Sequence, residues 1–279
     1  MKFVKMHGTG NDFVLLEGDE GEREWSKLAV AMCERHFGIG ADGLLLVLPS
    51  ERADLRMRMF NPDGSEAEMC GNGVRCFAKY AVERGLVQPR DGRFTIETAA
   101  GVLTTEVVLG EGRVERVRTS MGMPRFAPAE IPVAVEAEPP LKNLSLDLEG
   151  RTVAVTCVSM GNPHAVHFSA RPVSGYPLEE IGPRVEHHEL FPQRVNFEVA
   201  RVLSRDLIEA RVWERGAGPT LACGSGACAV MVAARLQDMV DERVDIKLPS
   251  GTLTIEWDGH GEVYLSGPAV EVFSGEWPD

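Results

Sequence analysis

Short runs in which apolar and polar positions alternate dominate the chain. In the first half "KFVKM", "FVLLE", "LLLVL", "DLRMRMF", "RFTIET" and "GVLTTEVVL" read as strands separated by turn residues. The second half gives "TVAVTCVSM", "HAVHF", "NFEVARVL", "LIEARVWE", "VDIKL" and "TLTIEW". Helical spacing is rarer. "REWSKLAVAMCERH" predicts a surface helix. Two more helices begin directly after a cysteine–glycine turn: Asn72 to Arg84, stopped by Gly85, and Ser225 to about Gln237. The second, "SGACAVMVAARLQ", is apolar or small on most sides, and a helix of that kind is buried. Together these elements predict a mixed α+β fold of two pseudo-symmetric domains. Each is a curled, mostly antiparallel sheet around a central helix.

The doubling is visible in the sequence itself. Aligning Cys70 with Cys223, an offset of 153, brings "MRMFNPDGSEAEMCGNG" over "ARVWERGAGPTLACGSG". Arg58 meets Arg211, Phe60 meets Trp213 and Asn61 meets Glu214. Upstream, "GTGNDFVLLE" resembles "SMGNPHAVHF", with Asn11 over Asn162 at an offset of 151. Between the halves, five prolines fall between Pro124 and Pro140. Proline suits neither a central strand nor a helix interior, so the boundary is expected near residue 120. This gives an N-terminal half, 1–120, and a C-terminal half, 121–262. The last strand-like run, "GEVYLSGPAVEVFSG", at about 263–275, is expected to return to the first domain.

Length and charge narrow the function. A chain of 279 residues can bury a sizeable core. A net charge of −13 gives no basic footprint for nucleic acid or an anionic membrane. No apolar run approaches membrane-spanning length, and "MKFVKMHGTG" does not read as a signal peptide. A cytoplasmic protein acting on a small molecule is the expectation. Six cysteines could form a disulfide framework, but a chain with this much core and no export signal is expected to keep reduced thiols.

Cys70 and Cys223 each stand just before a helix. Backbone N–H groups there lack intrahelical partners, and the helix dipole is positive at that end. Such surroundings lower a thiol pKa from ~8.5 toward neutrality. The glycines of "CGNG" and "CGSG" let an anion approach the backbone. Each turn thus offers a tuned thiol and a cradle for a carboxylate. Inverting a stereocentre next to a carboxylate needs a base on one face and an acid on the other. Two cysteines, one thiolate and one thiol, supply that pair.

"MCGNGVRC", "ACGSGAC", "HGTGNDF", "FNPDGSEAEMCGNG" and "MGNPHAV" resemble the signature segments of the diaminopimelate epimerases, in the right order and over nearly the whole chain. The resemblance implies a cofactor-independent, pyridoxal-phosphate-free isomerase that interconverts LL- and meso-2,6-diaminopimelate for lysine and peptidoglycan synthesis. It makes Cys70 and Cys223 the two catalytic bases. It assigns Gly71 with Asn72, and Gly224 with Ser225, to the reacting carboxylate. Asn61, Asn162, Asn196 and Arg215 match groups on the distal carboxylate, Glu214 a contact to the distal ammonium, and Asn11 lines the same site. His164, with Glu214, matches groups that support the protonation of the thiols. Several family members carry glutamine where this chain has Gly43; here Asp42 stands beside it. The family is often dimeric, which implies a homodimer.

The other motifs read more plainly. Cys33, Cys76, Cys157 and Cys228 are expected to be small buried hydrophobes. "VEHHELFPQ" lacks metal-ligand spacing and predicts a solvent-exposed loop, and Cys33 with His36 has no second pair to complete a zinc site. No metal is expected. "GTG" and "GNG" are too short for a nucleotide fingerprint. Two alternatives stand beside the epimerase reading. One is a proline racemase-like isomerase of the same fold; the other is a non-catalytic amino-acid-binding or thiol redox protein. Glu214, Arg215 and three asparagines favour a substrate with a second zwitterionic end. The absence of Cys-x-x-Cys disfavours redox chemistry.

Overall fold

A computed structural model describes residues 1–18 and 24–278. The chain divides into two compact units, Met1–Ser120 with Ser266–Asp279, and Met121–Leu265. In the first unit the strands are β1 (Lys2–Gly8), β2 (Asn11–Glu17), β3 (Gly43–Leu48), β4 (Leu55–Phe60), β5 (Glu66–Ala67), β6 (Arg93–Thr98), β7 (Gly101–Gly110) and β8 (Arg113–Ser120). Its helices are α1 (Trp25–Cys33) and α2 (Gly71–Glu83). The second unit carries β9 (Leu144–Asp147), β10 (Thr152–Ser159), β11 (Pro163–Phe168), α3 (Leu178–Glu186), β12 (Asn196–Ser204), β13 (Leu207–Glu214), β14 (Gly218–Thr220), α4 (Gly224–Leu236), β15 (Arg243–Leu248) and β16 (Gly251–Glu256). The unit boundary falls within β17 (Tyr264–Gly267), and β18 (Val270–Glu276) then pairs antiparallel with β1, from Lys2 opposite Glu276. Among the described residues no helix is long and apolar enough to cross a membrane.

The same order of pairings occurs in both units. In the first, β1–β2 is antiparallel, β2–β3 parallel, β3–β4 antiparallel, β4–β6 parallel and β6–β7 antiparallel. In the second, β10–β11, β11–β12, β12–β13, β13–β15 and β15–β16 repeat that sequence. A parallel neighbour cannot be reached by a hairpin, so each parallel step needs a crossover. The four helices supply these crossovers: α1 and α2 in the first unit, α3 and α4 in the second. The registers repeat as well. Phe13 faces Gly43 as His164 faces Asn196, and Leu45 faces Met59 as Glu198 faces Val212.

Helices cover both faces of the sheet in each unit. Every residue of β3, "GLLLVL", is buried. Leu45 and Val47 join the cluster around α2, while Leu44, Leu46 and Leu48 join the one around α1. A strand covered on both sides reads as a continuous apolar run, which explains its composition. In α4, Gly226 to Ala234 are all buried, and the helix packs on β10, β11, β12, β13, β15 and β16. α2 packs on β1, β2, β3, β4, β7 and β8. Each unit is therefore a largely antiparallel sheet curled around one central helix, with an outer helix on the far side of β3 or β12.

The elements depart from the sequence reading in a few places. α1 runs Trp25–Cys33, shorter than the expected stretch, whose first residue, 23, lies outside the described residues. α3 was not expected. The reading of "VEHHELFPQ" as an exposed loop fails at its start, because Val185 and Glu186 are buried in the last turn of α3. There Glu186 accepts from Trp213 Nε1 at 2.7 Å and from the Gly216 amide at 2.9 Å. Pro183 sits inside this short helix and interrupts its hydrogen bonding, which hides the helical pattern. β8, "RVERVRTS", was missed because a bulge between Val108 and Leu109 on its partner shifts the register and places Val114 and Val117 on one face.

Candidate active site

The two cysteine turns have the same backbone. Cys70 caps α2 with φ −143° and ψ 118°, and Cys223 caps α4 with φ −127° and ψ 118°. Each cysteine carbonyl closes the first helical turn, accepting from Val74 at 2.8 Å and from Ala227 at 2.9 Å. The N–H groups of Gly71 and Asn72, and of Gly224 and Ser225, fall in the first turn, where helix donors have no intrahelical acceptor. The four other cysteines, Cys33, Cys76, Cys157 and Cys228, are all buried, and burial raises the Cys76 and Cys157 thiols to about 12.

In the first unit a chain of amides surrounds Cys70. Arg75 on α2 has a fully buried side chain whose Nη2 donates to Asn72 Oδ1 at 2.8 Å and to Thr9 Oγ1 at 2.9 Å. Its other nitrogens donate to the carbonyls of Gly71 and Pro268, both at 3.3 Å. Asn72 Nδ2 donates onward to Asn11 Oδ1 at 3.0 Å, and Asn11 Nδ2 to Asp42 Oδ2 at 2.8 Å. One end of this chain only donates and the other only accepts, so neither amide can reverse without opposing like atoms. The orientation brings Asn11 Oδ1 to 3.7 Å from Cys70 Sγ, where it accepts from the thiol.

Asp42 also binds the Asp12 amide and Arg35, while Asp12 pairs with Lys5 and Arg35. Burial opposes ionisation of Asp12, but the hydrogen bonds from Arg35 and Lys5 outweigh it and hold the carboxyl at about 2. Asp42 is thus engaged by Asn11. A Cβ at Gly43 would lie 3.0 Å from the Phe60 carbonyl and 3.3 Å from Met59 Cε, so a longer side chain there meets packed atoms. Asn61 shapes its own turn: its Nδ2 donates to Ser65 Oγ at 2.9 Å and its carbonyl accepts from Gly64.

In the second unit the surroundings change. Ser225 Oγ lies 3.5 Å from Cys223 Sγ. His164 on β11 and Glu198 on β12 are both fully buried, with Nδ1 and Oε1 2.7 Å apart. His164 Nε2 lies 2.9 Å from Asn162 Oδ1. Asn196 Nδ2 donates to the Pro163 carbonyl at 2.9 Å, and its Oδ1 accepts the Arg215 amide at 2.8 Å. The exposed Arg215 donates from Nη1 to the Gln193 carbonyl at 3.1 Å. Glu214, the last residue of β13, accepts from Thr220 Oγ1 at 2.5 Å.

Cys223 is only 7% exposed. Burial, followed by the negative charge of Glu214, pushes its thiol well above the ordinary range. This departs from the expectation that a helix start lowers the thiol: at Cys223 desolvation outweighs the hydrogen bonds from Ser225 and the Gly226 amide. Two other groups escaped the sequence reading. Arg75 stands inside the quoted "MCGNGVRC" without being singled out, and Glu198 sits at an alternating strand position with nothing local to mark it. The repeat offset could have exposed both, since Arg75 falls on Cys228 and Glu198 on Leu45. It would also have found α3, because α1 shifted by 153 positions spans Leu178 to Glu186.

Comparison with known proteins agrees with this arrangement. The solved structures similar to it include a phenazine biosynthesis protein of the PhzF family from Bacillus anthracis, with a TM-score of 0.71 at 20% identity over 100% of this chain and 99% of that one. A probable proline racemase from Agrobacterium radiobacter follows with a TM-score of 0.68 at 16% identity, over 99% and 92%. At such identities the likeness is one of fold. In sequence, the diaminopimelate epimerase from Moorella thermoacetica is 51% identical over 100% of this chain and 99% of its own length. That from Acetivibrio thermocellus is 48% identical over 99% and 98%. The family model for diaminopimelate epimerase matches residues 3–127 and 156–272. The chain, with its two cysteine-capped helices, belongs to the diaminopimelate epimerase family.

Proposed function

We propose that this protein interconverts LL- and meso-2,6-diaminopimelate, without a cofactor, through a thiolate and a thiol. The observation that carries the reading is the cysteine-capped helix start, present once in each unit with matching backbone angles. In this reading one thiolate removes the α-hydrogen as a proton, and the C–H electron pair moves toward the carboxylate. First-turn N–H groups next to Cys70 and Cys223 stabilise the charge that develops there. The other thiol delivers its proton to the opposite face, and thiol and thiolate have exchanged places. Each cysteine is thus the base for one stereoisomer and the acid for the other.

The distal end of the substrate explains the remaining polar groups. Asn61, Asn162, Asn196 and the Arg215 fork suit a carboxylate, Glu214 suits an ammonium, and Asn11 borders both. Arg215 can bind a carboxylate with two parallel hydrogen bonds. Proline offers no second charged end, so the racemase alternative leaves these residues idle. We place the reaction in the cytoplasm and expect a homodimer, to be read from the mass in solution. The deciding experiment is exchange of solvent deuterium into LL-diaminopimelate. We expect exchange and formation of the meso isomer with metal chelated and pyridoxal phosphate removed. Exchange into proline instead would favour the racemase, and binding without exchange a non-catalytic module.

A further inference from the structure

Glu198 has no role in the mechanism above, yet its carboxyl lies in the interior of the second unit. It is fully buried, and while Oε1 meets His164, its Oε2 has no hydrogen-bond partner among the described residues. It faces α4 from β12. A Cβ on Gly226, in the first turn of α4, would lie 2.9 Å from Glu198 Oε1 and 3.3 Å from Cys223 Cβ, so the carboxyl occupies space that only glycine leaves open. The equivalent place in the first unit is filled by Leu45, whose Cδ2 lies 3.3 Å from a Cβ on Gly73, and the equivalent of His164 is Phe13. The architecture therefore folds with an apolar pair at these positions. The second unit has a carboxyl and an imidazole there instead, beside one reacting thiol.

A carboxylate with a bare oxygen in a dry interior is costly, and burial accordingly favours the neutral acid. A neutral acid leaves a far cheaper carbonyl oxygen and offers a proton to the imidazole. We propose that Glu198 is a positioning residue for Cys223: it is a neutral carboxylic acid whose proton is donated to His164 Nδ1. This fixes the Nε2–H tautomer of His164, which donates to Asn162 Oδ1. It also keeps a second negative charge, besides that of Glu214, away from the thiol when it must ionise. The inference deepens the two-thiol reading and rests on it for its effect on turnover. The location of the proton stands independently of that reading.

Two measurements test it. Long-range proton–nitrogen NMR of the substrate-free protein, with His164 assigned by its loss in His164→Phe, should show a neutral imidazole protonated at Nε2. Infrared difference spectra against Glu198→Gln should show the carbonyl stretch of a protonated acid. An imidazolium signal around neutral pH, or no such stretch, overturns the proposal. The groups facing Glu198 are His164 from β11, Glu214 from β13 and Cys223 from α4, so the His164→Phe spectrum separates the first of these from the others. For turnover, Glu198→Leu installs the side chain of the first unit and should lose about 10²-fold in kcat with KM little changed. Glu198→Gln keeps a donor to Nδ1 and should recover to within about tenfold of the parent. Equal loss in both variants, or none in Glu198→Leu, refutes the role. Should Glu198→Leu not fold, the double variant His164→Phe/Glu198→Leu and the spectra of the unmodified protein still decide. If the unmodified protein exchanges no α-hydrogen of diaminopimelate, the epimerase reading fails, and the spectra still report where the proton lies.

Discussion

Around Cys70 the first unit places Leu45, Phe13 and the guanidinium of Arg75; at the equivalent positions around Cys223 the second unit places Glu198, His164 and Cys228. The strand registers and the cap angles coincide and Asn11 keeps its counterpart in Asn162, while these three side chains have changed. Doubling thus preserved the part of the turn that depends on backbone geometry and freed the part that sets the proton affinity of the thiol. An acid and a base in one reaction need different surroundings. A strict repeat would have made both cysteines alike.

The largest effect should come from the cysteines themselves. If both turns are chemically active, Cys70→Ala and Cys223→Ala each lose roughly 10²–10⁴-fold in epimerisation. A variant with near-normal turnover would mark its half as a structural remnant. Next in size is the buried guanidinium. Arg75→Met should destabilise the fold by about 3 kcal/mol in urea unfolding, because it removes the buried hydrogen bonds to Asn72, Thr9, Gly71 and Pro268. Replacing Cys228 with alanine should cost less, about 1–2 kcal/mol, since a smaller buried side chain is removed.

A third test concerns acid. The Asp12 carboxyl is held at about 2 in the folded protein, against about 3.9 unfolded. A lowered folded value means stability that is present above the unfolded value and lost as pH falls through the folded one. Asp12 should therefore contribute about 2 kcal/mol that disappears between roughly pH 4 and 2. Asp12→Asn should flatten that part of the stability curve, and Pro163, its counterpart in the second unit, has no charge to contribute. The smallest effect distinguishes the two first-turn glycines. In Gly73→Ala the gain in helix propensity, about 1 kcal/mol, roughly offsets the close contact with Leu45 Cδ2 at 3.3 Å. Gly226→Ala meets Glu198 Oε1 at 2.9 Å and should be destabilising by about 1 kcal/mol net.

How much of this could be read from residues alone follows the same division. Strands such as "LLLVL" and the helix "SGACAVMVAARLQ" were legible because burial on each face writes a local period. The cysteine turns were legible because glycine and the helix stop leave local marks. The thiol environment was not. The rise at Cys223 comes from burial under strands distant in sequence and from the charge of Glu214, which does not adjoin it. Likewise Arg75 gathers Thr9 and Pro268, 66 and 193 positions away, and its burial has no signature within its own helix.

β18 has a consequence for how the chain is made. The first unit needs Ser266–Asp279 to complete its sheet, since β18 pairs with β1, and the amino terminus donates to the Trp277 carbonyl at 2.6 Å. The second unit, Met121–Leu265, is one uninterrupted stretch. During synthesis the first unit therefore closes after the second, its strand β1 waiting for β18, while the stretch between them can already fold. Because β1 and β18 are adjacent strands, a circular permutant that links them and opens a turn elsewhere should fold, and one opened between β8 and β9 would release the order of assembly from the direction of translation.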